Sequence, residues 1–142
     1  MAERIEIKSL SKNYKSHKVI KNMNVTFPGG KIIGILGPNG SGKSTLIKML
    51  AGVLQPNTGQ ILIDGEPVGV ESKAMVSYLP ERTYLNPSKK VSDIIAFFKD
   101  FYADFSPERA NTMLEKFGVD PQAKIKSLSK GMREKVQIVL CL

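Results

Sequence analysis

The chain has 142 residues, enough for a domain with a substantial core. Its single cysteine, Cys141, excludes a disulfide framework and a cysteine-built zinc site, and fits a reducing cytosol. The formal net charge is +8, but no basic run interleaves with aromatic residues, so the excess reads as solvated surface plus attraction for phosphate, and no nucleic-acid partner is expected. Met1-Ala2-Glu3-Arg4 lacks the apolar stretch of a signal peptide. No apolar run approaches the roughly 20 residues of a spanning helix, so any work at a membrane needs another segment or chain to cross it. His17 lies in a polar, lysine-rich stretch and reads as a surface residue.

Ile5, Ile7 and Leu10 are spaced among Arg4, Glu6 and Lys8, the pattern of a half-exposed strand. Val25 and Phe27 mark another, closed by the turn signal Pro28-Gly29-Gly30. Lys31 to Leu36 is short and mostly apolar, as a buried parallel strand is, and a strand is predicted there. A helix is predicted over Ser44 to Ala51, with Leu46, Ile47, Met49 and Leu50 on its apolar side and Gly52 as its stop. Gln55 to Gly59 reads as a loop, Gln60 to Gly65 as a strand entering a tight turn, and Met75 to Leu79 as a strand closed by Pro80. Val91 to Tyr102 is predicted helical with Ser92 as a candidate N-cap. Ser106-Pro107-Glu108 opens the next helix, which Gly118 ends, and a last helix runs from about Ser129. The chain thus divides into a β-rich region, 1–85, and a helical region, 86–142.

Between the predicted strand and helix lies Gly37-Pro38-Asn39-Gly40-Ser41-Gly42-Lys43-Ser44-Thr45, which satisfies G-x-x-x-x-G-K-[ST]. Each residue type has a job on a nucleoside triphosphate. The glycines let backbone N–H groups close on phosphate oxygens where a Cβ would obstruct. Asn39, Gly40, Ser41 and Gly42 form the cradle, Lys43 reaches the β- and γ-phosphates, Ser44 offers a hydroxyl to Mg²⁺, and Thr45 adds a second hydroxyl. A Gly-rich turn between a strand and a helix needs neither the lysine nor the serine.

Leu128-Ser129-Lys130-Gly131-Met132 precedes the last apolar helix. By itself this is an ordinary capped helix, with Ser129 as the cap. After a phosphate loop and a helical insert it resembles the signature motif of ABC transporter ATP-binding subunits, written LSGGQ in that family. It departs from the pattern at Lys130 and Met132. The resemblance spans Arg4 to Leu142 and is to bacterial exporter-type subunits.

The resemblance implies a P-loop NTPase fold of α/β class, with an N-terminal antiparallel β region and a helical subdomain. It implies ATP with Mg²⁺ as ligands and ATP hydrolysis coupled to transport. Tyr14 is expected to stack on adenine, with Val19 beside it. Ser129 and Gly131 are expected to contact the γ-phosphate held by a second ATP-binding subunit, so the subunits work as a homodimer or heterodimer. Tyr78-Leu79-Pro80-Glu81 stands where the family has a Gln that touches Mg²⁺ and the attacking water, which gives Glu81 a catalytic and metal-binding role there. Arg82 to Pro87 is expected to face a transmembrane permease subunit, and the location is cytoplasmic, peripheral on the inner face of the cell membrane. The family continues into a strand ending in Asp-Glu and a loop with a His. The 142 residues are therefore expected to be truncated before that strand, and to bind ATP while hydrolysing it very slowly. A soluble ABC-type ATPase acting on nucleic acid or ribosomes, and a non-catalytic nucleotide-binding module, are the alternative readings.

Overall fold

The structure, a computed structural model, describes residues 3–142. Two compact units follow one another, one running to Ser77 and one from Tyr78 to Leu142. No helix among the described residues is long and apolar enough to cross a membrane.

The first unit is an antiparallel sheet with one helix packed on it. Its strands are β1 (Glu3–Tyr14), β2 (His17–Pro28), β3 (Thr58–Ile63) and the short β4 (Glu66–Pro67), in the order β2-β1-β3-β4. β1 and β2 form a long hairpin in which Tyr14 pairs with His17, and β1 pairs on its other edge with β3. Simple alternation along β1 puts Leu10 on the face opposite Ile7, yet both are buried. The register shifts between Ile7 and Leu10, with Ser9 at φ 50° and its N–H donating to Asn24 Oδ1 at 2.8 Å. This irregularity changes the phase of the strand and turns Leu10 inward. The turn from β3 to β4 uses Asp64 (φ 51°) and Gly65 (φ 84°), the left-handed pair a tight hairpin of the type I′ kind demands.

Helix α1 (Lys43–Leu50) buries Leu46 and Met49 against Ile7, Leu10, Ile20, Ile61 and Ile63. Ile47, predicted on the same apolar side, is instead 41% exposed. It lies only one position from Leu46, about 100° around a helix, and therefore points off the buried stripe. Gly52 follows the helix with φ 67°, donating its N–H to the Met49 carbonyl.

Two predicted strands are corrected. Residues 31–36 form no ladder, because among the described residues no strand lies alongside to supply partners. At Met75 to Leu79 the chain instead completes helix α2 (Val70–Met75) and leaves it without secondary structure. Ser72 Oγ accepts from the Gly69 N–H at 2.8 Å and favours that short helix, a local bond that apolar spacing does not reveal.

The second unit packs α3 (Val91–Phe101), α4 (Pro107–Lys116) and α5 (Lys130–Leu140) around Val91, Ile94, Leu114, Ile125, Val136 and Val139. A 3₁₀ turn (Ile125–Ser127) leads towards α5. Ser106 caps α4, its Oγ accepting from the Arg109 N–H at 3.3 Å, with Pro107 in the first helical position. Ser92 does not cap α3. The helix starts one residue earlier, with Lys90 at the cap and the Asp93 carboxylate accepting from the Lys90 N–H at 3.1 Å. A reach-back carboxylate at the third helical position secures the start without a capping hydroxyl.

Gly59 sits at φ 80°, and a Cβ there would collide with the Ser9 and Lys8 carbonyl oxygens across the sheet. Gly59→Ala is expected to destabilise the chain by more than about 1 kcal/mol. Gly65→Asn, at an open left-handed site, is expected to be nearly neutral. Urea midpoints at unchanged m-value check both.

Candidate functional site

The phosphate loop enters from residues 31–36 and feeds α1. Gly40 (φ 81°) and Gly42 (φ 97°) take left-handed conformations, and the Ser41 N–H closes a turn on the Pro38 carbonyl at 3.2 Å. Gly42 is further constrained: a Cβ would lie 2.9 Å from Val19 Cγ1 and 3.2 Å from the Val19 carbonyl oxygen. Strand β2 therefore rests directly on the loop through Val19.

Gly42 is also the N-cap of α1, so the cap residue has no side chain to bond the helix start. The first turn holds no carboxylate. Its N-terminal partial charge is thus available to an anion. Lys43 Nζ donates to the carbonyls of Gly37 at 2.7 Å and Pro38 at 2.8 Å, which folds the ammonium over the loop. Ser44 and Thr45 follow within the first turn.

Tyr14 stands at the end of the hairpin, 46% exposed. Lys12 Nζ lies 5.6 Å from its ring centroid and donates to the Gln55 carbonyl at 2.7 Å. Lys12 was not singled out by motif reasoning. Its position two residues before an exposed tyrosine on the same strand was the available signal.

The remaining site residues belong to the second unit. Ser129 caps α5, its Oγ accepting from the Met132 N–H at 3.2 Å, and Gly131 is exposed in the first turn. Arg133 Nε donates to the Leu128 carbonyl at 3.0 Å and ties the helix start to the preceding turn. This first turn also lacks a carboxylate. Glu81 is exposed in the bend after Pro80. Nearby in sequence, Tyr84 is exposed through part of its ring while burial raises its phenol pKa, with smaller contributions from Cys141 and Tyr102. Burial likewise raises the Cys141 thiol pKa.

A family profile described as ABC transporter matches residues 20–142. The chain belongs to the ABC transporter ATP-binding family. A relative in Escherichia coli K12, the lipopolysaccharide export system ATP-binding protein LptB, is 31% identical over 146 residues, covering 95% of this chain and 61% of the relative. The Bacillus subtilis ABC transporter ATP-binding protein YtrB is 27% identical, covering 96% of this chain and 47% of its own length. A solved ATP-binding subunit of an ABC transporter superposes with a TM-score of 0.84 at 28% identity, over 97% of this chain and 61% of that one. The ABC chain described here thus spans about half to three-fifths of the length of these relatives, and its fold is that of the family's P-loop NTPase domain.

In this ABC chain the Ser129 cap is structural whatever else it does. Ser129→Ala is expected to cost about 1 kcal/mol, and Ser129→Asp to restore it, because Asp caps as well as Ser. Thermal or urea unfolding of the three proteins checks this.

Proposed function

We propose that this chain binds MgATP at Gly37–Thr45 and serves as an ATP-binding subunit of a transporter, most simply an exporter. One observation carries the reading: Lys43 is held over a loop of left-handed glycines at a helix start that has neither a capping side chain nor a carboxylate. An ammonium, converging amides and a helix N-terminus form a receptor for a polyphosphate. Tyr14 supplies a ring for adenine, with Lys12 beside it, and Val19 supports the loop from β2. Asn39, Gly40, Ser41 and Gly42 wrap the phosphates.

Ser44 and Glu81 bring hard oxygen donors of the kind Mg²⁺ takes, and the ion would neutralise charge that develops on the transferring phosphoryl oxygens. Lys43 and the loop amides stabilise the same charge. Ser129 and Gly131 face the γ-phosphate of an ATP bound to a second ATP-binding subunit, where a hydroxyl, an amide and a helix dipole favour an anion. In the proposed assembly these subunits form a homodimer or heterodimer at the inner face of the membrane and act on a permease subunit. Support for a partner surface comes from the second unit: Tyr84 is exposed, as are Phe97 and Phe101, whose rings stack at 4.4 Å on α3. The name of the E. coli relative supports the export direction.

Lys43→Ala removes a charge-assisted interaction worth about 1.5–3 kcal/mol, so ATP affinity is expected to fall roughly ten- to a hundredfold. A fluorescent-ATP titration checks this, and unchanged affinity would refute the assignment. Ser129→Asp separates capping from phosphate contact. It keeps the fold but sets a carboxylate against the γ-phosphate, so ATP-dependent pairing of subunits is expected to disappear. Pairing that survives the substitution would remove Ser129 from the nucleotide site.

Glu81→Gln is expected to lessen the Mg²⁺ dependence of ATP binding while leaving metal-free binding intact. For the 142 residues alone, turnover is expected to be very slow. Losing a water-positioning or metal-holding group commonly costs several kcal/mol of barrier, at about 1.36 kcal/mol per tenfold. Steady-state phosphate release measures it.

A further inference from the structure

Lys12 stands where three parts of the first unit meet. On β1 it pairs across the ladder with Ile20, next to the Val19 that rests on Gly42. Its Nζ donates to the Gln55 carbonyl at 2.7 Å, in the loop that leads from α1 to β3. The same Nζ lies over the Tyr14 ring, 5.6 Å from its centroid. Two further bonds hold that loop to β1. The Asn57 N–H donates to the Ser11 carbonyl at 2.9 Å, and Asn57 Oδ1 accepts from the Asn13 N–H at 2.8 Å.

A lysine side chain is ordinarily a flexible, strongly hydrated point charge. Here the Gln55 carbonyl fixes the ammonium, and the ammonium bears on one face of the tyrosine ring. Tyr14 nevertheless remains 46% exposed, so the ring keeps surface for a second planar group. It lies two residues, roughly 7 Å, farther along the strand than Lys12, within a nucleoside's reach of the glycine loop that Val19 supports.

We propose, resting on the reading of Tyr14 as the base platform, that Lys12 is a positioning residue for the base of the bound nucleotide. Gln55 anchors the ammonium, the ammonium holds one face of the Tyr14 ring, and adenine stacks on the opposite face. A free tyrosine loses ring mobility when a base stacks on it. A ring already held has less to lose, so stacking strengthens without a new contact to the base. The charge acts in the same direction. It draws the ring's negative π cloud towards itself and eases the approach of a second π face from the far side. Lys12 therefore acts on the base, while Lys43 acts on the phosphates.

Calorimetric titration of the 142-residue chain with Mg·ATP and with magnesium tripolyphosphate, which has the phosphates and no base, tests this. Lys12→Met keeps the apolar stem and drops the charge. It is expected to weaken ATP binding roughly three- to tenfold and to leave tripolyphosphate binding within about twofold. Lys12→Arg keeps a cation that can stack and donate, and is expected to restore ATP binding. In a Tyr14→Ala background, Lys12→Met should cost nothing further, because the two residues act as a unit. In the unaltered chain, nuclear Overhauser contacts from the Lys12 ε-protons to the Tyr14 ring should persist with ATP bound, while adenine protons reach the same ring. That reading decides the matter even where Lys12→Met does not fold. Equal losses of ATP and tripolyphosphate binding in Lys12→Met, no restoration by Lys12→Arg, losses that add to those of Tyr14→Ala, or displacement of Lys12 from the ring by ATP would each overturn the proposal. A loss of ATP affinity in Tyr14→Ala with none in Lys12→Met would overturn the role of Lys12 alone. Unchanged affinity in both would overturn the base platform with it, and would leave the phosphate site standing.

Discussion

The contact between Gly42 and Val19 is the constraint on which the nucleotide site depends. Gly42 must be glycine for two separate reasons, its left-handed φ and the 2.9 Å that a Cβ would leave to Val19 Cγ1. The close approach fixes the loop against β2, which is itself fixed by its long pairing with β1. The hairpin end that carries Tyr14 belongs to that same pair of strands. A single missing methyl group therefore sets how the hairpin that carries Tyr14 and the glycine loop are joined. From the loop the chain turns straight into α1, whose buried Leu46 and Met49 lock the helix start to the sheet. Lys43 completes the arrangement with its two carbonyl bonds, which hold a flexible side chain over the loop and would lower the entropy cost of recruiting it to a bound phosphate.

The two helix starts differ in a way that fits different tasks. At α1 the cap is a glycine, which has no side chain to bond the helix start. At α5 the Ser129 hydroxyl already accepts from the Met132 N–H, so that helix offers a hydroxyl and fewer unengaged amides. In the proposed assembly the first arrangement would suit a wrapped polyphosphate and the second a single terminal phosphate presented from outside. Lys130 and Arg133 reinforce the positive end of α5, and the exposed Lys130–Glu134 pair at 3.9 Å is too solvated to cancel that.

Much of this was legible in the chain because the physics is local. The phosphate loop, the Ser106–Pro107 start and the Ser129 cap each depend on residues within a few positions of one another. The failures come from interactions at longer range or of a finer kind. The apolar run at 31–36 declares what surroundings it suits, but a strand also needs a neighbour, and no pattern within the run says whether one is present. At Met75 a side-chain bond from Ser72 and the end of α2 prevailed over β-type composition. The inward turn of Leu10 rests on Ser9 adopting φ 50°, a conformation a serine rarely takes and composition does not announce. Lys12 beside Tyr14 was within reach of strand alternation, because positions two apart share a face.

The open stretch at 31–36 and the phosphate loop are one continuous piece of chain, and this couples their energetics. Residues 31–36 are mostly exposed and form no ladder among the described residues. Conformational freedom remains there that a ladder would remove. Gly37 to Gly42 inherit that freedom at their N-terminal end, while Val19 and α1 restrain them at the other. Pairing along 31–36, wherever its partner strand comes from, orders the entrance to the loop before any phosphate binds. A nucleotide bound as proposed would then meet a loop with less entropy left to lose, and its affinity would rise without any new contact to it. By reciprocity, bound nucleotide favours the paired strand by the same factor.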